Sequence, residues 1–344
     1  MRLRPTLDFL LYQWLHAESL NQRTRFADHS RETFDAVLDT CERIAREKYA
    51  PFNRLVDTQE PQFDGEKVIL PQATHEAQKA YAASGMLSAA QDYDIGGMQL
   101  PYTVEAAANG FFAMASVSIG SGMLTTGNAN LLMVHGTDMQ KRVFALNEFS
   151  GRFSGTMCLS EPQAGSSLSD VVTRATPDGD GFKADPLGPR YRLKGNKMWI
   201  SAGEHELTEN IIHLVLARLP DGAEGTRGIS LFMVPKIIPD AQGNLGAHNS
   251  LKVVSLEHKL GLHGSPTAVM QYDEAVGWLV GEPHKGMAAM FTMMNNARLG
   301  VGMQGVAVAE AATQQALEYA LNRTQGKTPR GAGAIIDHAD HSLN

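Results

Sequence analysis

Charge is sparse in this 344-residue chain and cysteine is sparser. Only 19% of residues are Asp, Glu, Lys or Arg, and 37 acids against 30 bases leave a formal charge of −7. No block of five or more like charges occurs. The clustered cations that supply nucleic-acid affinity are therefore missing, and no nucleic-acid partner is expected. The two cysteines, Cys41 and Cys158, stand far apart with no CxxC spacing. That excludes a disulfide framework or a cysteine zinc site and points to a reducing compartment, the cytoplasm. His338 with His341 reads as an accident of a terminal segment, so no metal is expected. P-loop, HExxH and GxSxG patterns are absent as well.

A long unbroken apolar run is also lacking. The opening segment, Met1 to Leu15, is interrupted by Asp8 and Gln13 and has no small-residue cleavage site after it, so it is not read as a signal peptide. Residues 106–134 carry no formal charge. However, Asn109, Ser116, Ser118, Ser121, Thr125, Thr126, Asn128 and Asn130, with glycines at 110, 120, 122 and 127, divide the stretch. It reads as two buried helices joined near Gly120 to Gly127, not as a membrane span.

What is present falls into three textures. From Ser30, Phe34, Val37, Leu38, Cys41, Ile44 and Ala45 share one helical face, with Ser30 as cap and Pro51 as terminator. Short β-type segments follow at 171–175, 190–194, 196–200, 211–217 and 228–234, separated by turn sequences at 177–181 and 220–228. After Pro283 the helical period returns, and Met287, Met290, Phe291 and Met294, then Ala309, Ala312, Leu317, Ala320 and Leu321, are expected to trace buried faces. The order predicts an α+β fold: an N-terminal helical domain over 1–150, a middle antiparallel β domain over 151–280, and the start of a C-terminal helical bundle, only partly present, over 281–344. Residues 300–305, GVGMQG, match the dinucleotide fingerprint in form only. They sit inside a helical pattern instead of after a strand, so their small residues are read as a place of close backbone approach.

Two segments carry chemistry. MCLSEPQAGSSLSD at 157–170 passes from a strand into a polar Gly/Ser turn, which is either an ordinary hydrogen-bonded turn or a ligand-facing loop. KGNKMWISAGE at 194–204 places Trp199 and Ser201 on one face of a strand, an aromatic surface beside a hydroxyl, which suits either a core tryptophan or a planar ring with a polar edge.

Together, in this order, the two segments resemble the acyl-CoA dehydrogenase family. HGTDMQKRVF at 135–144, EHKLGLHGSPTAVMQYDEA at 257–275 and ARLGVGMQG followed by Arg323 and Gly326 agree with it, and the wording is most similar to methylthiopropanoyl-CoA dehydrogenase-like members. The resemblance implies FAD between the middle and C-terminal domains, an acyl-CoA substrate, a trans-2-enoyl-CoA product, an electron-transfer flavoprotein as acceptor, and a homo-oligomer. It implies that Met157, Leu159, Ser160, Trp199 and Ser201 line the flavin. Arg323 would meet the FAD pyrophosphate of a partner subunit, Ser166 would face the CoA end, and Asn295 and Arg298 would border the substrate channel.

Departures from the family pattern accompany the likeness. Ser167 stands where an Asp is common, and Asn295 where an acid is common. The family's usual catalytic glutamate would lie beyond Asn344, and Ala297 occupies the alternative position. The expectation is thus a C-terminally truncated member without its base. A non-catalytic remnant and a nucleic-acid-associated flavoprotein stand as the alternative readings.

Overall fold

A computed structural model describes residues 3–323. Gly326, His338 and His341 lie outside the described residues. The N-terminal part is helical. Helix α1 (Arg31–Ile44) starts at a reciprocal cap in which the Thr33 amide donates to the Ser30 hydroxyl and the Ser30 amide donates to Thr33 Oγ1. It buries Phe34, Leu38, Cys41 and Ile44, the face the spacing predicts. Helix α2 (Gln72–Ala83) and the largely buried α3 (Tyr102–Ser116) pack with it around Tyr49, Tyr81 and Phe112.

The uncharged stretch does form two helices, α3 and α4 (Met123–His135). They join at Gly122, whose φ of +63° and Cβ position 2.5 Å from Leu87 Cδ2 leave room for glycine alone. Gly127, expected in the joint, lies within α4, where a Cβ would come within 3.1 Å of Met293. Among the described residues no helix is long and apolar enough to cross a membrane.

A seven-stranded sheet makes most of the middle part: β1 (Phe153–Cys158), β2 (Arg174–Pro177), β3 (Arg190–Ser201), β4 (Asn210–Arg218), β5 (Ile229–Pro235), β6 (Leu251–Leu256) and β7 (Thr267–Val280), with a separate two-stranded ribbon of Ile237–Pro239 and Leu245–His248. Their order is β6-β7-β3-β2-β4-β1, and β5 bonds both β7 and β4, which closes the pairings into a ring. Most pairs are antiparallel, as expected, but β1 and β2 each lie parallel to β4. The segments read as two strands at 190–194 and 196–200 form the single strand β3, and the strand expected at 171–175 is shifted to 174–177.

Strands β4 and β5 are buried on both faces. Ile212, Leu214, Leu216, Leu231 and Met233 meet the helices, while Val215, Ala217, Phe232 and Val234 fill the ring. That explains their continuous apolar sequence.

Helix α5 (Gly286–Asn322) runs back across α3 and α4. Met290 and Met293 are fully buried in the core against α4 and β5. The expected buried face at Ala309, Ala312, Leu317, Ala320 and Leu321 is corrected: all five are exposed, as is Phe291. The physical reason is that Ala307 is the last buried residue of α5, so the helix continues past the elements it packs on. The GVGMQG stretch is helical, as read. Gly300 accepts the Met123 side chain, where a Cβ would meet sulfur at 2.4 Å, while Gly302 and Gly305 face open space.

Candidate active site

Two segments about 38 residues apart meet on one surface. The Met198 amide donates to the Ser160 carbonyl at 3.0 Å, and Lys197 Nζ donates to the Leu159 carbonyl at 3.0 Å. This joins the turn after β1 to the end of β3. What aims the side chains is a bulge. Lys197 pairs with Met270 and Ile200 with Ala268, so β3 carries one extra residue across this interval. Trp199 takes φ +62°, a left-handed conformation that costs a non-glycine residue on the order of 1 kcal/mol or more and that collects at functional sites.

The bulge turns Lys197 and Ile200 inward together. Trp199, 53% exposed, and Ser201 both face out. Met157, Leu159 and Ser160 are half-buried at the adjoining strand end, and Ser166 is exposed on the turn beyond. An exposed indole beside hydroxyls and strand-end backbone forms a wall suited to a flat ring with a polar edge.

A buried ion pair holds this wall from behind, and the motifs alone did not reveal it. Lys197 Nζ lies 2.8 Å from Glu161 Oε1, with both side chains essentially inaccessible. Glu161 also accepts from the Val172 amide (2.8 Å), the Thr173 amide (3.1 Å) and the Thr173 hydroxyl (2.5 Å). Burial pushes this carboxyl up, but Lys197 and the convergent donors outweigh it and hold Glu161 below the ordinary carboxylate value. Burial likewise pulls the Lys197 ammonium down, partly offset by Glu161. The pair ties both segments to residues 172–173, just before β2, and so sets the position of residues 159–160 relative to 198–201.

On α5, Arg298 donates to Asn295 Oδ1 at 3.0 Å and lies over the Phe291 ring, 5.6 Å from its centroid. Ala297, half-buried between them in sequence, offers no carboxylate. Arg323 is not brought to this region. It is 25 residues beyond Arg298, about 38 Å at 1.5 Å per residue, and its described contacts are with Tyr319 of its own helix.

A cavity of about 110 Å³ opens between α2, α3, α4 and α5, with Glu105, Asn109, Asn130, Asn296, Gly300 and Met303 among its walls. Burial pushes the Glu105 carboxyl up to about 7. Sequence reasoning passed over Glu105, although its helical spacing from Tyr102 and Asn109 marks a polar stripe on an otherwise apolar helix. Among the described residues no cluster of His, Cys, Asp and Glu could hold a metal ion.

Comparison with known proteins adds to this geometry. Residues 156–275 match the model of the acyl-CoA dehydrogenase middle domain and residues 284–339 that of the acyl-CoA dehydrogenase C-terminal domain. The chain is 42% identical to a 3-methylmercaptopropionyl-CoA dehydrogenase of Ruegeria pomeroyi, over 96% of this chain and 55% of that one. It is 33% identical to a butyryl-CoA dehydrogenase of Syntrophomonas wolfei, over 97% and 56%. The chain thus spans about half the length of the curated relatives it matches. In fold it superposes on butyryl-CoA dehydrogenase from Megasphaera elsdenii with a TM-score of 0.72 at 23% identity, covering 92% of this chain and 76% of the other. Two family models over more than half of the sequence, alignment of nearly all of this chain to relatives and the shared fold lead to one conclusion: this chain belongs to the acyl-CoA dehydrogenase family.

Proposed function

We propose that the chain serves FAD-dependent α,β-dehydrogenation of an acyl-CoA thioester to a trans-2-enoyl-CoA. The observation that carries this reading is the meeting of residues 157–160 with Trp199 and Ser201 on one outward wall, in a chain of this family. The wall fits a flavin: the large aromatic is exposed where a core residue would be covered, and a strained bulge keeps it so. Trp199 would lie against the ring system, while Ser201, Ser160 and the backbone of Met157 and Leu159 would meet its polar edge. When bound, FAD would supply the acceptor for the hydride that leaves the substrate's β carbon.

The chain's own residues orient the partners. Ser166 reaches the CoA side of the turn, Arg298 and Asn295 border the acyl channel, and the helical cavity receives the acyl chain. Arg323, at the far end of α5, would serve the flavin of a partner subunit, which makes a homo-oligomer part of the proposal. Ala297 carries no carboxylate, so the α-proton base is not assigned to this helix position. The acceptor would be an electron-transfer flavoprotein. Cys41 and Cys158, free and buried, suit a reducing cytoplasm.

The test is anaerobic addition of butanoyl-CoA to the chain reconstituted with FAD. The expected result is a saturable change in the flavin spectrum, with bleaching matched by enoyl-CoA formation. Failure to retain FAD, with no response to acyl-CoA, would overturn the reading.

A further inference from the structure

The segment that enters β7, residues 257–266, is fastened to the N-terminal helical part by a histidine that meets an acceptor at each ring nitrogen. His263 Nδ1 lies 2.9 Å from Asp57 Oδ1, and its Nε2 lies 2.7 Å from the Lys259 carbonyl oxygen. A neutral imidazole has a single N–H, so one of the two acceptors would face a lone pair. Only the imidazolium satisfies both. Asp57 belongs to the short helix Asn53–Thr58. Gly264 presses on the same helix, where a Cβ would come within 2.9 Å of the Val56 carbonyl oxygen and 3.2 Å of Ser118.

The charged and titratable groups around this ring are few. Asp57 and Glu60 face it from the helical part, and Ser118 adds no charge. On its own segment, His258 lies parallel to it at 5.8 Å and pairs with Glu60 at 2.9 Å, while Lys259, near Glu257, turns its Nζ to the Ser265 carbonyl at 2.8 Å. The hydrogen bonds to Asp57 and to the Lys259 carbonyl raise the His263 pKa above its ordinary value.

The far end of the segment reaches the proposed flavin wall. The Pro266 carbonyl accepts from the Ala202 amide at 2.7 Å, and Thr267 pairs with Ser201. Ala202 takes φ +53°, a left-handed turn directly after Ser201 that persists only where neighbours hold it.

We propose that His263, as an imidazolium between Asp57 and the Lys259 carbonyl, is a positioning residue for FAD: it pins residues 257–266 to the helical part and thereby keeps Ser201 where the flavin's polar edge meets it. This rests on the reading of Trp199 and Ser201 as the flavin wall. Deprotonation leaves one contact without its hydrogen. FAD affinity is therefore full below the imidazolium's pKa and falls as pH rises through it.

The test measures FAD binding by calorimetry between pH 6 and pH 9, beside an NMR titration of the His263 ring. The dissociation constant should rise about two- to fivefold over this range, the worth of a solvent-accessible ion pair. His263→Arg, a cation at every pH, should bind tightly throughout, and His263→Gln should bind weakly throughout. Asp57→Asn should lower the ring's pKa and the midpoint of the affinity change together, a coupled shift that a purely structural contact would not give. By linkage, FAD should in turn raise the ring's pKa.

A ring that titrates at or below the ordinary value of about 6.5, or a pH dependence of FAD binding shared by the parent and both His263 variants, would overturn the role of His263 and leave the flavin wall standing. Absence of FAD binding in every protein at every pH would overturn the wall, and the role of His263 with it.

Discussion

Two buried glutamates 56 positions apart behave in opposite ways. Behind the wall of Trp199 and Ser201, Glu161 is met by an ammonium, two amides and a hydroxyl, and is held below the ordinary carboxylate value. In the helical cavity Glu105 meets none of these and is pushed up to about 7. Burial is common to both, so the difference lies in partners. The first region is completed by its own chain and positions other groups. The second lacks a partner, which is how a site for a ligand group is expected to look.

The largest expected effect comes from breaking the completed region. Lys197→Met leaves the Glu161 charge buried and uncompensated, and should cost about 3–5 kcal/mol of stability, read as a lowered midpoint in denaturant. Adding Glu161→Gln to that variant should recover much of the loss. If the double variant is no better than the single, the pair is not what holds the two segments.

Next in size is the pH dependence. The folded-state pKa of Glu105 is raised from 4.5 to about 7. Its contribution to stability is therefore full below pH 4.5 and is lost as pH rises through about 7, a change of roughly 3 kcal/mol at most at 1.36 kcal/mol per unit. Glu161, with a lowered pKa, contributes above 4.5 and loses that contribution as pH falls further. Comparing Glu105→Gln with the parent isolates the first effect from His205 and His213. Burial pulls both histidines down to about 3, so their contribution runs the other way, lost as pH falls from 6.5 toward 3. Parallel stability profiles of parent and variant between pH 4.5 and 7 would show that Glu105 is not held protonated.

The smallest effect on the fold should come from the wall itself. Trp199 is half exposed, so Trp199→Ala should change stability by less than about 0.5 kcal/mol. The same change should weaken FAD binding by about two- to tenfold, the range for one aromatic stacking contact. A large loss of stability in this variant would mean that the indole is a core residue after all.

The periodic features were open to reading from sequence. The Ser30 cap and the face of α1 follow from local hydrogen-bonding chemistry and a 3.6-residue repeat, and the two helices in the uncharged stretch follow from its polar interruptions. The outward pairing of Trp199 and Ser201 was legible because residues two apart share a strand face. Lys197 was not: simple alternation puts it beside Trp199, and only the extra residue of the bulge turns it inward to Glu161. The exposed end of α5 was misread because apolar spacing says which face would be buried, not whether anything lies against it. Glu105 was missed for a related reason. Asn109 and its neighbours were counted as breaks in a hydrophobic run, and polar residues that interrupt a membrane pattern are also residues that can line a cavity.

The central claim is that the indole at 199 forms one side of the flavin pocket. Its most direct test is tryptophan emission during titration of the chain with FAD. The chain's other two tryptophans, the exposed Trp14 and the buried Trp278, serve as internal references. The account predicts saturable quenching that is largely lost in Trp199→Phe. Quenching of the same size in that variant, or FAD binding that leaves the emission unchanged, would contradict it.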